Sequence, residues 1–388
     1  MTLVARMQAL LPTMLADIEA LVRCESPSAD LSAVASSADV VGRVGTDRLG
    51  VSPERVVLDG CTHLRWRLGG PSRVLLLCHH DTVWPLGSLS TRPFEITDGV
   101  LRGPGCFDMK AGLVLALHAA AELTDRSGVT ILVTGDEEIG SPGSRALIEA
   151  EATGCAAALV LEAAADGGAL KTERKGVSLY EVRAYGKAAH AGLEPERGVN
   201  ATLELAHQLL AVAAIGDPDR GTTVTPTLMS AGTTTNTVPA AGQFAVDVRV
   251  RDSAEQDRID AAMHALQPAL DGARLEVTRG PSRPPLESAA SAALFARATE
   301  LAATLGLPQL TCAAVGGGSD GNLTAGVGTP TLDGLGAVGG GAHADNEHVL
   351  IAELPRRAAL LAALIADLVS SGKPGSPDLA GNMDARRP

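Results

Sequence analysis

The sequence predicts an α/β protein that carries a smaller α+β domain inserted into its chain, and three observations predict it. Continuous apolar runs alternate with helical stretches over the first half. From Gly176 the pattern changes to strand, helix, strand, strand, helix, strand. After the Pro-rich stretch Gly280-Pro281-Ser282-Arg283-Pro284-Pro285, which reads as a hinge, the strand-helix alternation resumes.

Taken in order, residues 1–23 alternate apolar and polar side chains at helical spacing and include Asp17 and Glu19, the pattern of an amphipathic surface helix and not of a signal peptide. Residues 74–78, 129–133 and 157–161 are unbroken apolar runs, as expected of strands buried on both faces. Between them, residues 109–123 and 144–152 have helical composition. In the insert, strands are expected at 177–185, 222–229, 243–250 and 273–278, and helices at 200–215 and 253–270. That order is the split βαβ, ferredoxin-like signature. A helix over 291–305, a strand over 309–315, a Gly-rich segment and a last helix ending near Val369 complete the chain. The division is therefore 1–175 and 284–369 for the larger domain and 176–283 for the insert, with a disordered tail over 370–388.

Composition narrows the function. The 388 residues carry 32 Lys and Arg against 45 Asp and Glu, a net charge of −13. Nucleic acid and anionic membrane surfaces require the opposite balance. No window reaches the roughly 18 apolar residues of a membrane span. The six cysteines, at 24, 61, 78, 106, 155 and 312, form no CxxC pair and mostly lie in apolar runs. They read as reduced, buried thiols, so the cytoplasm is the expected location.

The chemistry-bearing residues gather where strands end, which is where an open α/β sheet collects its ligands. Cys78-His79-His80-Asp81-Thr82 follows one apolar run, Gly135-Asp136-Glu137-Glu138 another, and Glu162 a third; Gly105-Cys106-Phe107-Asp108-Met109 opens a helix between them. Each has an ordinary reading by itself: a His-x-Asp hydrogen-bonded pair, a solvated helix start, a surface carboxylate. Together they put several carboxylates on one edge, where they repel each other unless a cation neutralises them. Imidazole with carboxylate is a donor set for zinc. His343, in Gly341-Ala342-His343-Ala344-Asp345, is a further candidate.

The segments Leu77-Cys78-His79-His80-Asp81-Thr82-Val83, Gly103-Pro104-Gly105-Cys106-Phe107-Asp108-Met109-Lys110-Ala111-Gly112, Thr134-Gly135-Asp136-Glu137-Glu138-Ile139-Gly140-Ser141, Gly186-Lys187-Ala188-Ala189-His190-Ala191-Gly192 and Gly341-Ala342-His343 resemble, in order, the motifs of the co-catalytic di-zinc peptidase family. That family contains glutamate carboxypeptidase, aminoacylase, acetylornithine deacetylase and succinyl-diaminopimelate desuccinylase. The resemblance extends to about Val369 and is nearest to glutamate carboxypeptidase, through Gly192-Leu193-Glu194-Pro195-Glu196-Arg197-Gly198-Val199-Asn200-Ala201 and the His343 context. It implies a mixed sheet flanked by helices as the catalytic domain, with the insert as a lid and dimerisation domain.

Carried over residue by residue, the resemblance implies two Zn²⁺ per subunit, with Co²⁺ or Mn²⁺ as alternatives. One is held by His79 and Glu162, the other by Glu138 and His343, and Asp108 bridges both. Asp81 orients His79. Glu137 is the general base beside a metal-bridging hydroxide. In the insert, the resemblance assigns His190 to the tetrahedral oxyanion and Asn236 and Arg249 to the substrate carboxylate, a task that suits the planar fork of arginine. Gly318 and Ser319 are assigned to a substrate-pocket loop. The reaction implied is cleavage of the amide next to a C-terminal amino acid with a free carboxylate, on a small peptide or N-acyl amino acid, by a homodimer. An N-acyl-amino-acid deacylase is the alternative on the same metal site. A third reading, a nicotinamide-dependent oxidoreductase, rests on Gly316-Gly317-Gly318-Ser319-Asp320-Gly321, which matches GxGxxG. With 43 glycines such matches arise by chance, and Gly334-Leu335-Gly336-Ala337-Val338-Gly339 is a second one.

Overall fold

The computed structural model describes residues 1–371. The described residues form two compact units: Met1–Glu173, Ser288–Val315 and 319–371 make the first, and Arg174–Glu287 with Gly316–Gly318 the second. The tail expected over 370–388 lies, from residue 372 on, outside the described residues; Ser370 ends the last helix and Ser371 caps it.

The first unit opens with helices α1 (Leu3–Val22) and α2 (Leu31–Leu49), followed by strands β1 (Glu54–Leu58), β2 (Cys61–Arg67), β3 (Val74–His79), β4 (Glu95–Thr97) and β5 (Val100–Arg102). Helix α3 (Ala111–Ala121), β6 (Val129–Thr134), α4 (Arg145–Ala152), β7 (Ala157–Val160) and β8 (Leu170–Arg174) come next. The second unit contains β9 (Gly176–Tyr185), α5 (Ala201–Ala213), β10 (Thr223–Ala231), β11 (Ala241–Val250), α6 (Ser253–His264) and β12 (Arg274–Arg283). The chain then returns to the first unit with α7 (Ser288–Thr304), β13 (Cys312–Val315), α8 (Asp320–Gly326), β14 (Thr331–Leu332), β15 (Gly339–Gly340), β16 (His348–Leu350) and α9 (Leu354–Ser370).

The main sheet of the first unit has the order β1-β2-β6-β3-β7-β14. It is mixed: β1, β2 and β6 run antiparallel, whereas β6, β3, β7 and β14 are mutually parallel. Every residue of β3, β6 and β7 is buried, which is why their sequences are unbroken apolar runs. Helix α3 is apolar all round and buried along nearly its whole length, among the core side chains of α1, α9 and the sheet. Its glycine, Gly112, has no room for a side chain, since a Cβ there would lie 2.0 Å from the Leu161 carbonyl oxygen; at Gly336 the distance is 2.1 Å. These two close approaches press α3 and the 334–338 loop against the end of β7, the point from which Glu162 projects. A smaller antiparallel sheet, β15-β16-β5-β4, carries the segments on either side of His343.

The second unit is an antiparallel sheet of order β10-β11-β9-β12. Alternate residues of β9 and β11 are buried under α5 and α6, around Tyr180, Val182, Phe244, Val246, Leu205 and Ile259. Three differences from the sequence reading have local causes. Helix α6 stops at His264 instead of 270, because Pro268 follows and the buried Glu204 carboxylate takes the N–H groups of Ala269 and Leu270. Strand β12 runs on to Arg283, so Gly280 and Pro281 lie within a strand and not in a hinge. They sit where the register shifts between Arg279 and Ser282 on an edge strand, which tolerates proline. Helix α3 begins at Ala111, because Asp108 and Met109 have non-helical torsions inside a wide turn, Cys106–Lys110. Cys61, Cys78, Cys106 and Cys155 are buried thiols, Cys24 is half-buried, and Cys312 is exposed. No helix among the described residues is long and apolar enough to cross a membrane.

Candidate metal centre

Parallel strands β3, β6 and β7 end side by side, and the residues after them converge. His79 is the last residue of β3, Glu137 and Glu138 sit in a turn after β6, and Glu162 lies two residues beyond β7. Asp108 comes from the wide turn before α3, and His343 from the loop between β15 and β16, with its backbone in the left-handed region at φ 61°. Such a conformation is costly for a residue with a side chain and is maintained where the surroundings dictate it.

Asp108 is the centre of the arrangement. Its Oδ1 lies 3.2 Å from His79 Nε2, and its Oδ2 lies 3.3 Å from His343 Nε2. Glu162 Oε1 is 3.5 Å from His79 Nε2, and Glu138 Oε2 is 3.0 Å from His343 Nε2. Ligand atoms of His79, Asp108 and Glu138 fall within 4.8 Å of one another, as do those of His79, Glu137 and Glu162. The sequence-predicted ligands are thus brought together, and Glu137 stands among them.

Electrostatics show what the cluster lacks. Burial opposes charge on His79, but Asp108, Asp81 and Glu162 outweigh it and raise its pKa well above the ordinary value. The Asp108 and Glu138 carboxylates lift His343 to about 10. Burial would raise the Asp108 carboxyl, yet hydrogen bonds to His343 and His79 hold it well below the carboxylate range. Burial keeps Glu138 raised, and its Oε1 is buried without a hydrogen-bond partner. Protons on the His79 and His343 imidazoles balance the Asp108 and Glu138 carboxylates at short range. Divalent cations taking the place of those protons would satisfy the imidazole nitrogens, both Asp108 oxygens and the orphaned Glu138 oxygen, so the donor set fits a two-cation centre.

The supporting contacts are as specific. His79 Nδ1 lies 3.0 Å from the Asp81 backbone carbonyl, which fixes the ring and leaves Nε2 toward Asp108 and Glu162. The Asp81 carboxylate is 3.4 Å from the same nitrogen and does more than orient it. It accepts the N–H groups of Glu137 at 3.2 Å and Glu138 at 3.1 Å and the Ser28 hydroxyl at 2.6 Å. His80, next to His79, is directed to the Thr62 carbonyl at 3.0 Å, and burial lowers its pKa to about 4, which leaves it neutral and apart from the cluster.

Sequence reasoning passed over several participants. Asp136 accepts the N–H groups of Gly143 and Ser144 and the Ser144 hydroxyl, bracing the turn that holds Glu137 and Glu138. Asp320 accepts from the hydroxyls of Thr134 and Ser141 at the two ends of the same turn. Glu347 binds the turn of Asp108. Asp136 and Asp320 stand inside motifs already singled out, though for other roles, and Glu347 lies four residues after His343.

The remaining predicted residues lie elsewhere. In the second unit, His190 and Asn236 are neighbours through the Ala191 N–H to Asn236 carbonyl bond of 2.9 Å, and both are exposed. His190 Nδ1 accepts the N–H groups of Gly192 and Leu193, so in the neutral ring the proton is on Nε2. Arg249 is engaged bidentately by Asp247, at 2.7 and 2.9 Å. The Gly318 carbonyl accepts from Arg174 at 3.4 Å. Ser319 is buried in the first unit as the N-cap of α8, and its hydroxyl donates to Asp333 at 2.7 Å and accepts from Gly321 N–H. Helix α8 has only seven residues, and its first, Asp320, is a buried acid, an environment that opposes a pyrophosphate at the Gly316 loop.

Three comparisons place this geometry. Residues 75–367 match the Peptidase family M20/M25/M40. Carboxypeptidase G2 of Pseudomonas sp. (strain RS-16) is 32% identical over 92% of this chain and 89% of its own, and succinyl-diaminopimelate desuccinylase 2 of Shewanella loihica is 29% identical over 76% and 85%. The crystal structure of aminopeptidase PepT from Bacillus cereus superposes with a TM-score of 0.71 at 23% identity, covering 94% of this chain and 99% of that one. With the family motif region spanning every strand end that feeds the cluster, the chain belongs to peptidase family M20/M25/M40, a family of metal-dependent hydrolases.

Proposed function

We propose that the protein is a two-zinc amidohydrolase that cleaves the amide bond beside a C-terminal amino acid with a free carboxylate, a reading supported by its similarity to a relative named carboxypeptidase G2. The observation that carries the metal reading is Asp108, whose two oxygens face two different histidines, each flanked by its own glutamate. Cobalt or manganese would suit the same donors. A cation pair in such a centre supplies Lewis acidity, polarising the amide carbonyl and making a water a competent nucleophile near neutral pH.

The chain's residues carry the rest. Glu137 takes the proton from the attacking water as the C–O bond forms and returns it to the departing nitrogen as the C–N bond breaks. Its backbone N–H is fixed by Asp81, so the carboxylate is presented from a held turn. Glu138, one residue on, faces His343 and serves as a ligand. His190, with Nε2–H available, donates to the oxyanion. Arg249 and Asn236 receive the substrate carboxylate, Arg249 exchanging part of its pairing with Asp247 for it. The second unit forms the homodimer contact: β10 is an edge strand with Leu228 78% exposed, and α5 presents Leu203 and Leu210 to solvent. Light scattering that found a fully active monomer would exclude the dimer.

The desuccinylase relative favours a second reading, N-acyl-amino-acid deacylation by the same centre. A panel of dipeptides, N-acyl glutamates and N-succinyl amino acids, assayed on metal-quantified protein, separates the two. The test of the mechanism is Glu137→Gln, which should retain two metal ions per chain and lose most turnover; unchanged turnover would overturn it.

A further inference from the structure

Glu347 is 4% exposed, and its carboxylate accepts four hydrogen bonds, two at each oxygen. Oε1 takes the backbone N–H groups of Phe107 at 2.9 Å and Asp108 at 3.1 Å. Oε2 takes the Gly105 N–H at 3.0 Å and the Trp84 indole N–H at 2.7 Å. Only a carboxylate offers two acceptor oxygens and no donor. The turn it grips is the one in which Asp108 and Met109 leave helical torsions; its ends are tied by the Lys110 N–H to Gly105 O and Ala111 N–H to Cys106 O bonds, and Glu347 takes the N–H groups of Phe107 and Asp108 between them. Glu347 is tied in turn to the loop of His343: its N–H donates to Ala344 O, and the Ala344 N–H to Gly341 O.

We infer that Glu347 is a positioning residue that sets the spacing of Asp108 and His343, so that the cation position shared by Asp108, Glu138 and His343 depends on it more than the position at His79 and Glu162 does. The inference rests on the two-cation reading above. Trp84 shares Oε2 and stacks under the Arg92 guanidinium, 4.5 Å from the ring centroid, while Arg92 pairs with Asp345, two residues beyond His343. The other tryptophan, Trp66, is buried in β2 with its indole on the Val51 carbonyl. Trp84 emission is therefore a reporter for one of the two cation positions.

The experiment is zinc binding to the metal-free full chain, followed by competition with a chromophoric chelator and by tryptophan emission. In the wild type two binding events are expected, with emission changing at one of them. Glu347→Gln keeps the side-chain shape but turns an amide NH₂ toward two donors. It should weaken the emission-linked event by about 10 to 100-fold, the usual cost of losing a group that orients metal ligands, and leave the other event within about 3-fold. Circular dichroism checks that the variant folds; if it does not, Glu347→Asp, which keeps both acceptor oxygens and Trp84 but shortens the reach by one methylene, should weaken the same event by a smaller factor. Equal weakening of both events, or of neither, in a folded variant overturns the inference. A wild-type chain with fewer than two events overturns the two-cation reading itself.

Discussion

The two units hold their chemistry in different ways. In the first, His79, Asp108, Glu137, Glu138 and Glu162 are buried or half-buried, with His343 exposed at the edge of the cluster, and the turns that carry Asp108, Glu137 and Glu138 are braced through backbone N–H groups. Asp81, Asp136 and Glu347 together accept seven of them from the turns bearing Glu137, Glu138 and Asp108. In the second, His190 and Asn236 are exposed, and Arg249 has a carboxylate partner of its own two residues away. The contrast separates two tasks. Bond-breaking geometry tolerates little displacement and is built into a rigid core. On the proposed function, recognition of a substrate carboxylate falls to groups that can exchange a partner, as Arg249 can exchange part of its pairing with Asp247.

Substitutions can break that contrast. The largest effect is expected at Asp81. Asp81→Ala leaves the Glu137 and Glu138 N–H groups without their acceptor and the Ser28 hydroxyl with only the longer 3.4 Å contact to the Thr82 carbonyl, and each unsatisfied buried group costs about 1–3 kcal/mol. The melting temperature should fall by several degrees, and turnover by about 10 to 100-fold or more, since both Glu137 and Glu138 lose their anchor. A variant with wild-type turnover would show that the turn needs no brace.

A smaller and differently shaped effect is expected at Arg249. Arg249→Lys loses bidentate geometry, and a hydrogen bond between charged groups contributes about 1.5–3 kcal/mol, so KM for a carboxylate-bearing substrate should rise roughly 10 to 100-fold with kcat little changed. The rise should vanish for the matching amide substrate. If both substrates respond alike, Arg249 acts on the fold and not on the carboxylate.

The mildest test is pH. In the second unit, hydrogen bonds from Arg258, opposed by burial and reinforced by Arg220 and Thr222, lower Glu255 from its ordinary 4.5 to about 2. A carboxyl depressed in the folded state contributes stability that is complete above the ordinary value and is lost as pH falls from there through about 2. In the first unit, burial would raise Asp17, but His118 and Arg48 outweigh it and lower it, so its contribution has the same sign. Melting temperature should therefore decline on the acid side, and Glu255→Gln should flatten the part of that decline that belongs to the second unit. An unchanged slope would remove Glu255 from the account.

What was legible in the sequence follows the same division. Three strands buried on both faces announce themselves as apolar runs, and His79, Glu137, Glu138 and Glu162 stand at or just past their ends. The insert was legible because its element order is distinctive, although its boundaries shifted: proline in β12 reads as a hinge until the strand is seen to lie at an edge with a register shift. The bracing carboxylates were harder to find. Asp136, Asp320 and Glu347 act by accepting hydrogen bonds from hydroxyls and backbone N–H groups, in part from segments far away in the chain, and such partnerships leave no periodicity or spacing. The part Ser319 plays in the fold was equally hidden, since nothing in a Gly-rich loop announces that its hydroxyl caps α8.

The central claim is that Asp108 joins two cation positions, one at His79 and Glu162 and one at Glu138 and His343. Metal content per chain, measured on purified wild type and Asp108→Ala after dialysis against a zinc buffer, tests it most directly. Two equivalents are expected in the wild type and the loss of at least one in a folded Asp108→Ala; a variant that retains both would contradict the shared role of Asp108.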